Sequence, residues 1–146
     1  MPGGPITRTV LLRHTLPDGS WHHDWLIERP GGAGGADERR LIAFRVRPRI
    51  DREGVEAFPA ERIADHRAVY LEYEGPISGG RGAVERVAAG EASLLGETPR
   101  SVRVRVRFPG GLSGELEGVA REEGWWFRIV AGPRDSAWCG DGSGVP

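Results

Sequence analysis

The sequence predicts an all-β or mainly β fold, a compact antiparallel β-barrel with little helix. Three observations carry that expectation. Runs of β-branched and aromatic residues alternating with polar ones recur at spacings near ten residues, giving about seven to nine short strands. Gly- and Pro-rich turn signals separate them. Only residues 59–65 suggest a helical turn. Strands with one apolar and one polar face suit a barrel whose two surfaces differ.

The 146 residues suffice for one domain with a proper core. Residues 1–5 read as a disordered lead-in, 6–131 as the barrel, and 132–146 as a flexible tail rich in Gly, Ser and Asp. The formal net charge of −1 supplies no global field toward nucleic acid, so any anion site must be local. All 20 basic residues are arginine, and each offers a planar donor fork suited to phosphate. The one cysteine, Cys139, precludes an internal disulfide and fits a reducing cytoplasm. The first residues lack the charged-then-apolar pattern of a secretion signal. No apolar run approaches the roughly 20 residues of a membrane helix. A cytoplasmic monomer without a membrane partner is expected.

Residues 6–14 (Ile-Thr-Arg-Thr-Val-Leu-Leu-Arg-His) read as the first strand and residues 21–28 as its partner. A Gly-rich loop follows at 30–37. Residues 40–49 alternate, with Ile42, Phe44 and Val46 on one face and Arg45, Arg47 and Arg49 on the other, and Pro48 ends the strand. Residues 50–65 read as irregular, with the helical turn inside them. Residues 65–75 are partly extended, and Ser78-Gly79-Gly80-Arg81-Gly82 is a tight turn. Residues 83–88 and 91–95 read as two short strands around Gly90. Residues 101–108 set Val102, Val104, Val106 and Phe108 against Arg103, Arg105 and Arg107. Residues 112–121 and 125–130 form a hairpin around Glu123-Gly124. Trp125 and Trp126 then point to opposite faces, one into the core and one at the rim.

The chemistry concentrates at the first hairpin, which holds three of the four histidines. Pro17-Asp18-Gly19 between two apolar runs is a turn signal. A three-residue loop with Gly19 in the left-handed region pairs Leu16 with Ser20 and His14 with His22. Opposed residues share a face, with Cβ atoms about 4.5–5.5 Å apart. Asp24, two residues beyond His22, lies on that face too. His14, His22 and Asp24 would then close on one divalent metal; the alternative is a polar hairpin face with surface histidines. A two-residue Asp18-Gly19 turn would oppose His14 and His23 instead and break the cluster. His23 points the other way, with Trp21 and Trp25. The arginine stripes, Arg45 with Arg47 and Arg103 with Arg105, repeat about every 6.6–7 Å along a strand. That is close to the spacing of phosphates on extended nucleic acid, and the alternative is a solvated β face.

Two motifs stand in order along the chain. The first is His14 followed by His22-His23-Asp24-Trp25-Leu26-Ile27-Glu28. The second is Ala64-Asp65-His66-Arg67-Ala68-Val69-Tyr70-Leu71-Glu72-Tyr73-Glu74-Gly75, and the Gly-rich turn at 76–82 follows it. With Leu112-Ser113-Gly114-Glu115-Leu116 and Trp125-Trp126-Phe127-Arg128-Ile129, they make residues 6–131 resemble the 3′-phosphoesterase domain of bacterial DNA ligase D, and more closely its short stand-alone relatives. The resemblance implies a β-barrel with a crater-like active site in a bacterial, cytoplasmic protein. It implies a divalent metal, manganese in the first place and zinc as a possibility, that serves removal of a 3′-phosphate or 3′-ribonucleotide from a DNA end. His14, His22 and Asp24 match the metal ligands, and His66 matches the histidine on the scissile phosphate. His66 and His22 are thus the catalytic histidines, and Tyr70 matches a supporting tyrosine. His66, Arg67 and Arg81 would bind phosphate, and Arg45, Arg47, Arg103 and Arg105 the nucleic acid. The partners would be DNA 3′ ends and a separate ligase or polymerase.

Two departures stand out. The gap between His14 and His22 is longer by two residues than in the ligase domains. The family's phosphate-binding arginine, two residues after the aspartate, is Leu26 here. Arg13, Arg45, Arg67 or Arg81 would have to replace it, or the domain binds ends without processing them. Another class is a non-haem iron oxygenase that uses His22, Asp24 and the distant His66. Tyr73 and Glu74 read as braces of the barrel.

Overall fold

The alternating runs become nine strands: β1 (Thr7–Thr15), β2 (Trp21–Glu28), β3 (Leu41–Val46), β4 (Ala57–His66), β5 (Gly75–Pro76), β6 (Ala83–Thr98), β7 (Ser101–Arg107), β8 (Ser113–Arg121) and β9 (Gly124–Ala131). A computed structural model describes residues 4–32 and 34–132; Cys139 and the expected tail from 133 onward lie outside the described residues, as do the first three residues of the lead-in. The strands form one antiparallel sheet in the order β1-β2-β3-β4-β9-β8-β7-β6-β5. Pairing of β1 with β6 closes it into a ring of eight strands, with β5 on the free margin of β6. One short 3-10 turn, Ala68–Leu71, is the only helical element among the described residues. Among the described residues no helix is long and apolar enough to cross a membrane.

The ring interior is the main core. Leu11, Trp25, Ile42, Phe44, Val102, Val104, Val106 and Phe127 are fully buried in it. Trp25 meets Phe58 and Phe127 edge-to-face, the geometry the ring quadrupoles favour. Its indole N–H donates to Thr9 Oγ1 at 2.9 Å, and that hydroxyl donates to the Leu26 carbonyl at 2.7 Å. No polar atom of this pair is thereby stranded in the core.

Two expectations are corrected. Residues 57–66 are a strand, β4, rather than an irregular stretch with a helical turn. Phe58 and Ala60 point inward and Pro59 and Glu61 outward, so its first half obeys period 2. Residues 83–98 form one strand, β6, rather than two around Gly90. Gly90 is not a turn residue. A Cβ there would lie 2.3 Å from the Arg107 carbonyl oxygen, so the glycine lets the end of β7 approach. The first half of β6 pairs with β1 and the second with β7, and this shared strand closes the barrel.

A second apolar cluster lies outside the ring, on the outer face of β1–β3. Val10, Leu12, Leu26, Leu41 and Ala43 form its floor, and Leu71, Tyr70, Tyr73 and Ile77 form its roof. The roof is the segment 67–82, tied down at both ends. Ala68 and Val69 donate to the Glu38 and Ala36 carbonyls, and Arg67 pairs with Asp37 at 2.9 Å. Glu74 accepts from the Arg86 backbone N–H at 2.8 Å, and the Tyr73 hydroxyl donates to the Pro76 carbonyl. Tyr73 and Glu74 thus brace the roof.

Candidate metal centre

The hairpin register follows from its loop. Leu16 N–H donates to the Ser20 carbonyl at 2.8 Å, Gly19 N–H to the Leu16 carbonyl at 2.9 Å, and Gly19 has φ 91°. Asp18 Oδ1 accepts from Ser20 N–H at 2.9 Å and from its hydroxyl at 2.6 Å, which holds the turn. This is the three-residue loop, so His14 opposes His22 and Leu12 opposes Asp24. On β1 the outer face runs Val10, Leu12, His14; on β2 it runs Leu26, Asp24, His22. Both turn from apolar to ligand-type residues at the end of the roofed cluster.

One ligand atom from each of His14, His22 and Asp24 lies within 4.8 Å of the others. His22 Nε2 is 3.0 Å from Asp24 Oδ1, and His14 Nδ1 is 3.4 Å from Asp24 Oδ2. Donors bound to a common ion at about 2.0–2.2 Å each stand roughly 3–3.5 Å apart, so the set fits a metal. His22 Nε2 and Asp24 Oδ1 are moreover buried and meet no hydrogen-bonding group beyond their own 3.0 Å contact, the condition a shared ion would relieve.

Burial pushes the Asp24 carboxyl up, but hydrogen bonds from His14 and His22 and the charge of His22 and His66 outweigh it and hold it at about 2. The Asp24 hydrogen bond raises the His14 imidazole, against its burial. His14 Nε2 faces the Arg81 carbonyl at 2.8 Å. A carbonyl only accepts, so Nε2 carries the hydrogen and the neutral ring turns its Nδ1 lone pair to the cluster. Gly82 makes that contact possible. It has φ 92°, and a Cβ there would lie 2.0 Å from the Thr15 carbonyl oxygen, so only glycine lets the turn lie against the hairpin.

Beside the cluster is a cavity of about 520 Å³ lined by His14, His66, Tyr70 and four arginines, Arg39, Arg45, Arg67 and Arg81. Asp65 is the one acid in that lining among the described residues, and Arg29 already holds it at 2.7 Å. His66 reaches the cavity through a bulge. Ala43 opposes Ile63 and Leu41 opposes His66, so β4 spends one residue more than β3 over this interval. Simple period 2 from Ile63 would have put Asp65 on the roofed face; the bulge puts His66 there. Its Nδ1 faces the Ala64 carbonyl at 2.9 Å, which leaves Nε2 as the free nitrogen, and its ring meets Tyr70 edge-on.

Of the residues singled out from sequence, His14, His22 and Asp24 come together, and His66, Arg45, Arg67, Arg81 and Tyr70 line the adjoining cavity. His66 is outside the three-residue donor set, so a triad of His22, Asp24 and His66 is not what the fold assembles. Arg13 lies on the other face, its guanidinium 4.2 Å over the Trp21 ring, and is not among the arginines that line the cavity. Leu26 is fully buried in the floor. Arg47 lines a separate hollow with Trp21 and His22. Arg103 and Arg105 are remote from the cluster, on the outer face of β7. Arg103 pairs with Glu115 at 2.9 Å, and Arg105, itself buried, pairs with the same residue at 3.3 Å. Arg39 was not foreseen, because it stands ahead of β3 in a loop with no periodicity to orient it. No protein-family model matches the chain, and a search among curated proteins returns no match.

Proposed function

We propose that the chain is a metal-dependent phosphoesterase acting on the 3′ ends of DNA during end repair. The observation that carries this reading is the donor cluster of His14, His22 and Asp24, two of its atoms buried with only each other for partner, whose His14 lines a cavity with four arginines. His14, His22 and Asp24 would hold a divalent ion, manganese or zinc. Bound there, the ion would neutralise charge on a phosphoryl oxygen. The chain's own groups do the rest. Arg39, Arg45, Arg67 and Arg81 supply donor forks for the remaining phosphate oxygens. His66, with its Nδ1 hydrogen held by Ala64, can carry a second proton on Nε2 and pass it to the leaving oxygen. Tyr70 packs against the His66 ring and limits its rotation.

The test is incubation with manganese and a primer-template bearing a 3′-phosphate or a 3′-ribonucleotide. A dephosphorylated or shortened 3′ end is expected, and its loss in His66→Ala. Absence of product with either end would reject the reading. Leu26 favours a second one, in which the domain binds ends without processing them, because the floor beneath Asp24 is apolar. Tight end binding with no product would select it. A separate ligase or polymerase would then act on the same end.

A further inference from the structure

The corner where β2 runs past β3 carries a second concavity. The β2–β3 ladder ends with His23 opposite Val46, so Trp21 and His22 present an uncovered strand edge. Ser20, Trp21, His22 and Arg47 line a hollow of about 370 Å³ there, with no acidic side chain in its lining among the described residues. Trp21 is 43% exposed, one of two large apolar side chains that are exposed among the described residues. Its ring lies outside the core: the Arg13 guanidinium sits 4.2 Å from the ring centroid, and His23 meets it edge-on at 5.2 Å. His23 Nδ1 lies 2.9 Å from the Arg47 carbonyl, which fixes the Arg47 backbone beside this corner. His14 lines the arginine cavity and His22 lines this hollow, so the donor cluster touches both.

We propose that this corner binds an unpaired nucleobase of a single-stranded DNA 3′ segment, stacked on the Trp21 face that the Arg13 guanidinium does not cover, with Arg47 as its cationic flank. The choice of DNA rests on the phosphoesterase reading of the neighbouring cluster; the aromatic and cationic character does not. Every base offers a π-face, so stacking on one indole is tolerant of sequence. The arginines at this corner add local backbone attraction that the net charge of −1 does not supply.

Fluorescence anisotropy on the full chain at low salt, with EDTA present, tests it. One probe is a labelled duplex with a short 3′ oligothymidine tail; the other has a tail of the same length made of abasic residues. The wild type should prefer the base-bearing tail. Trp21→Ala should weaken that binding by about 5- to 150-fold, the range for one base–aromatic stack, and leave the abasic probe unchanged. Trp21→Phe should keep most of the affinity. Equal binding of the two tails by the wild type overturns the proposal, and that comparison needs no variant to fold. Manganese-dependent processing is scored separately on a 3′-phosphate duplex. Base-dependent binding without processing upholds the corner and removes the catalytic reading, whereas processing with equal tail binding removes the corner alone.

Discussion

The outer face of β1–β3 and the outer face of β7–β8 start from similar sequence and end in opposite chemistry. In each, one strand, β3 or β7, sets arginines against inward apolar residues with period 2. On β7 the arginines meet glutamates from both neighbouring strands: Arg103 and Arg105 pair with Glu115 of β8, and Arg107 pairs with Glu91 of β6 at 2.7 Å. On the β1–β3 side the roof segment, the loop before β3 and β3 itself bring Arg39, Arg45, Arg67 and Arg81 around one cavity, whose one acid among the described residues, Asp65, is already held. Periodicity tells which way a side chain faces. What it faces is decided by the partner strand and by whatever lies over the sheet.

The largest expected difference between the faces is in metal binding. Asp24→Asn keeps the shape of the buried side chain but removes the charge that joins the two imidazoles. Manganese affinity, measured by calorimetry, should fall by at least about 100-fold. Glu115→Gln, the matching change on the β8 face, should leave it unchanged. Metal binding that survives in Asp24→Asn would mean that the ion is not held by this cluster.

Next comes the roof. Gly82→Ala forces an L residue to φ 92° and into the Thr15 carbonyl, and so lifts the Arg81 carbonyl away from His14. It should destabilise the fold by about 1–3 kcal/mol in urea denaturation. It should also weaken manganese binding about tenfold, as loss of an outer-shell partner does. Gly80 has φ 68°, but a Cβ there meets nothing within 4 Å. Gly80→Ala should cost about 1 kcal/mol and leave the metal affinity intact. Equal effects of the two substitutions on metal binding would detach the roof from the site.

How much of this was legible in the chain depends on whether the deciding contact was local. The hairpin register was, because Pro17, Asp18 and Gly19 set loop length and left-handed geometry within three residues. The shared face of His14, His22 and Asp24 followed from it. β4 was missed because Pro59 and its run of small and charged residues hide the alternation of Phe58 and Ala60, and because a bulge then shifts the phase before His66. β6 was split because a glycine in a strand looks like a turn, whereas Gly90 serves a neighbour 17 residues on, at Arg107. Glu115 and Glu117 also alternate, opposite Arg105 and Arg103, so the neutralised stripe could have been found by reading β7 and β8 as a pair.

Titration separates the two states of the cluster. The Asp24 hydrogen bond raises His14, so in the metal-free protein their pairing stabilises fully below about pH 6.5 and is lost as pH rises through the raised His14 value. Asp24, held at about 2, contributes above about pH 4 and loses its contribution as pH falls toward 2. Manganese needs the neutral imidazole, so the rise in Tm on adding it should grow from about pH 5.5 to 8. Over the same window the metal-free contribution of the pair declines. Thermal melts with manganese and with EDTA across that range give both slopes. A metal-induced shift that stays flat would exclude His14 from the donor set.

The smallest effects concern DNA affinity. A cation helps a phosphate only if it is not already spent on a carboxylate, and a phosphate approaching Arg103 would also meet Glu115 and Glu117, at 2.9 and 3.9 Å from that guanidinium. Arg103→Ala should therefore leave both the affinity for a DNA end and its salt dependence unchanged, and cost less than about 1 kcal/mol of stability. Among the described residues Arg45 is paired with Glu61 at 3.6 Å, and Arg39 bonds a backbone carbonyl, so both keep donors for phosphate. Arg45→Ala and Arg39→Ala should each reduce the slope of log K against log salt by about 1. The reciprocal change is the finer test. Glu115→Gln releases Arg103 and Arg105 from their shared partner, and a gain of about threefold or less in DNA affinity at low salt should follow. A gain from Glu115→Gln together with no loss from Arg103→Ala would show that the stripe is silenced by its neighbours. A loss from Arg103→Ala would show that the β7 arginines reach phosphate through their ion pairs, and the contrast between the two faces would be one of degree.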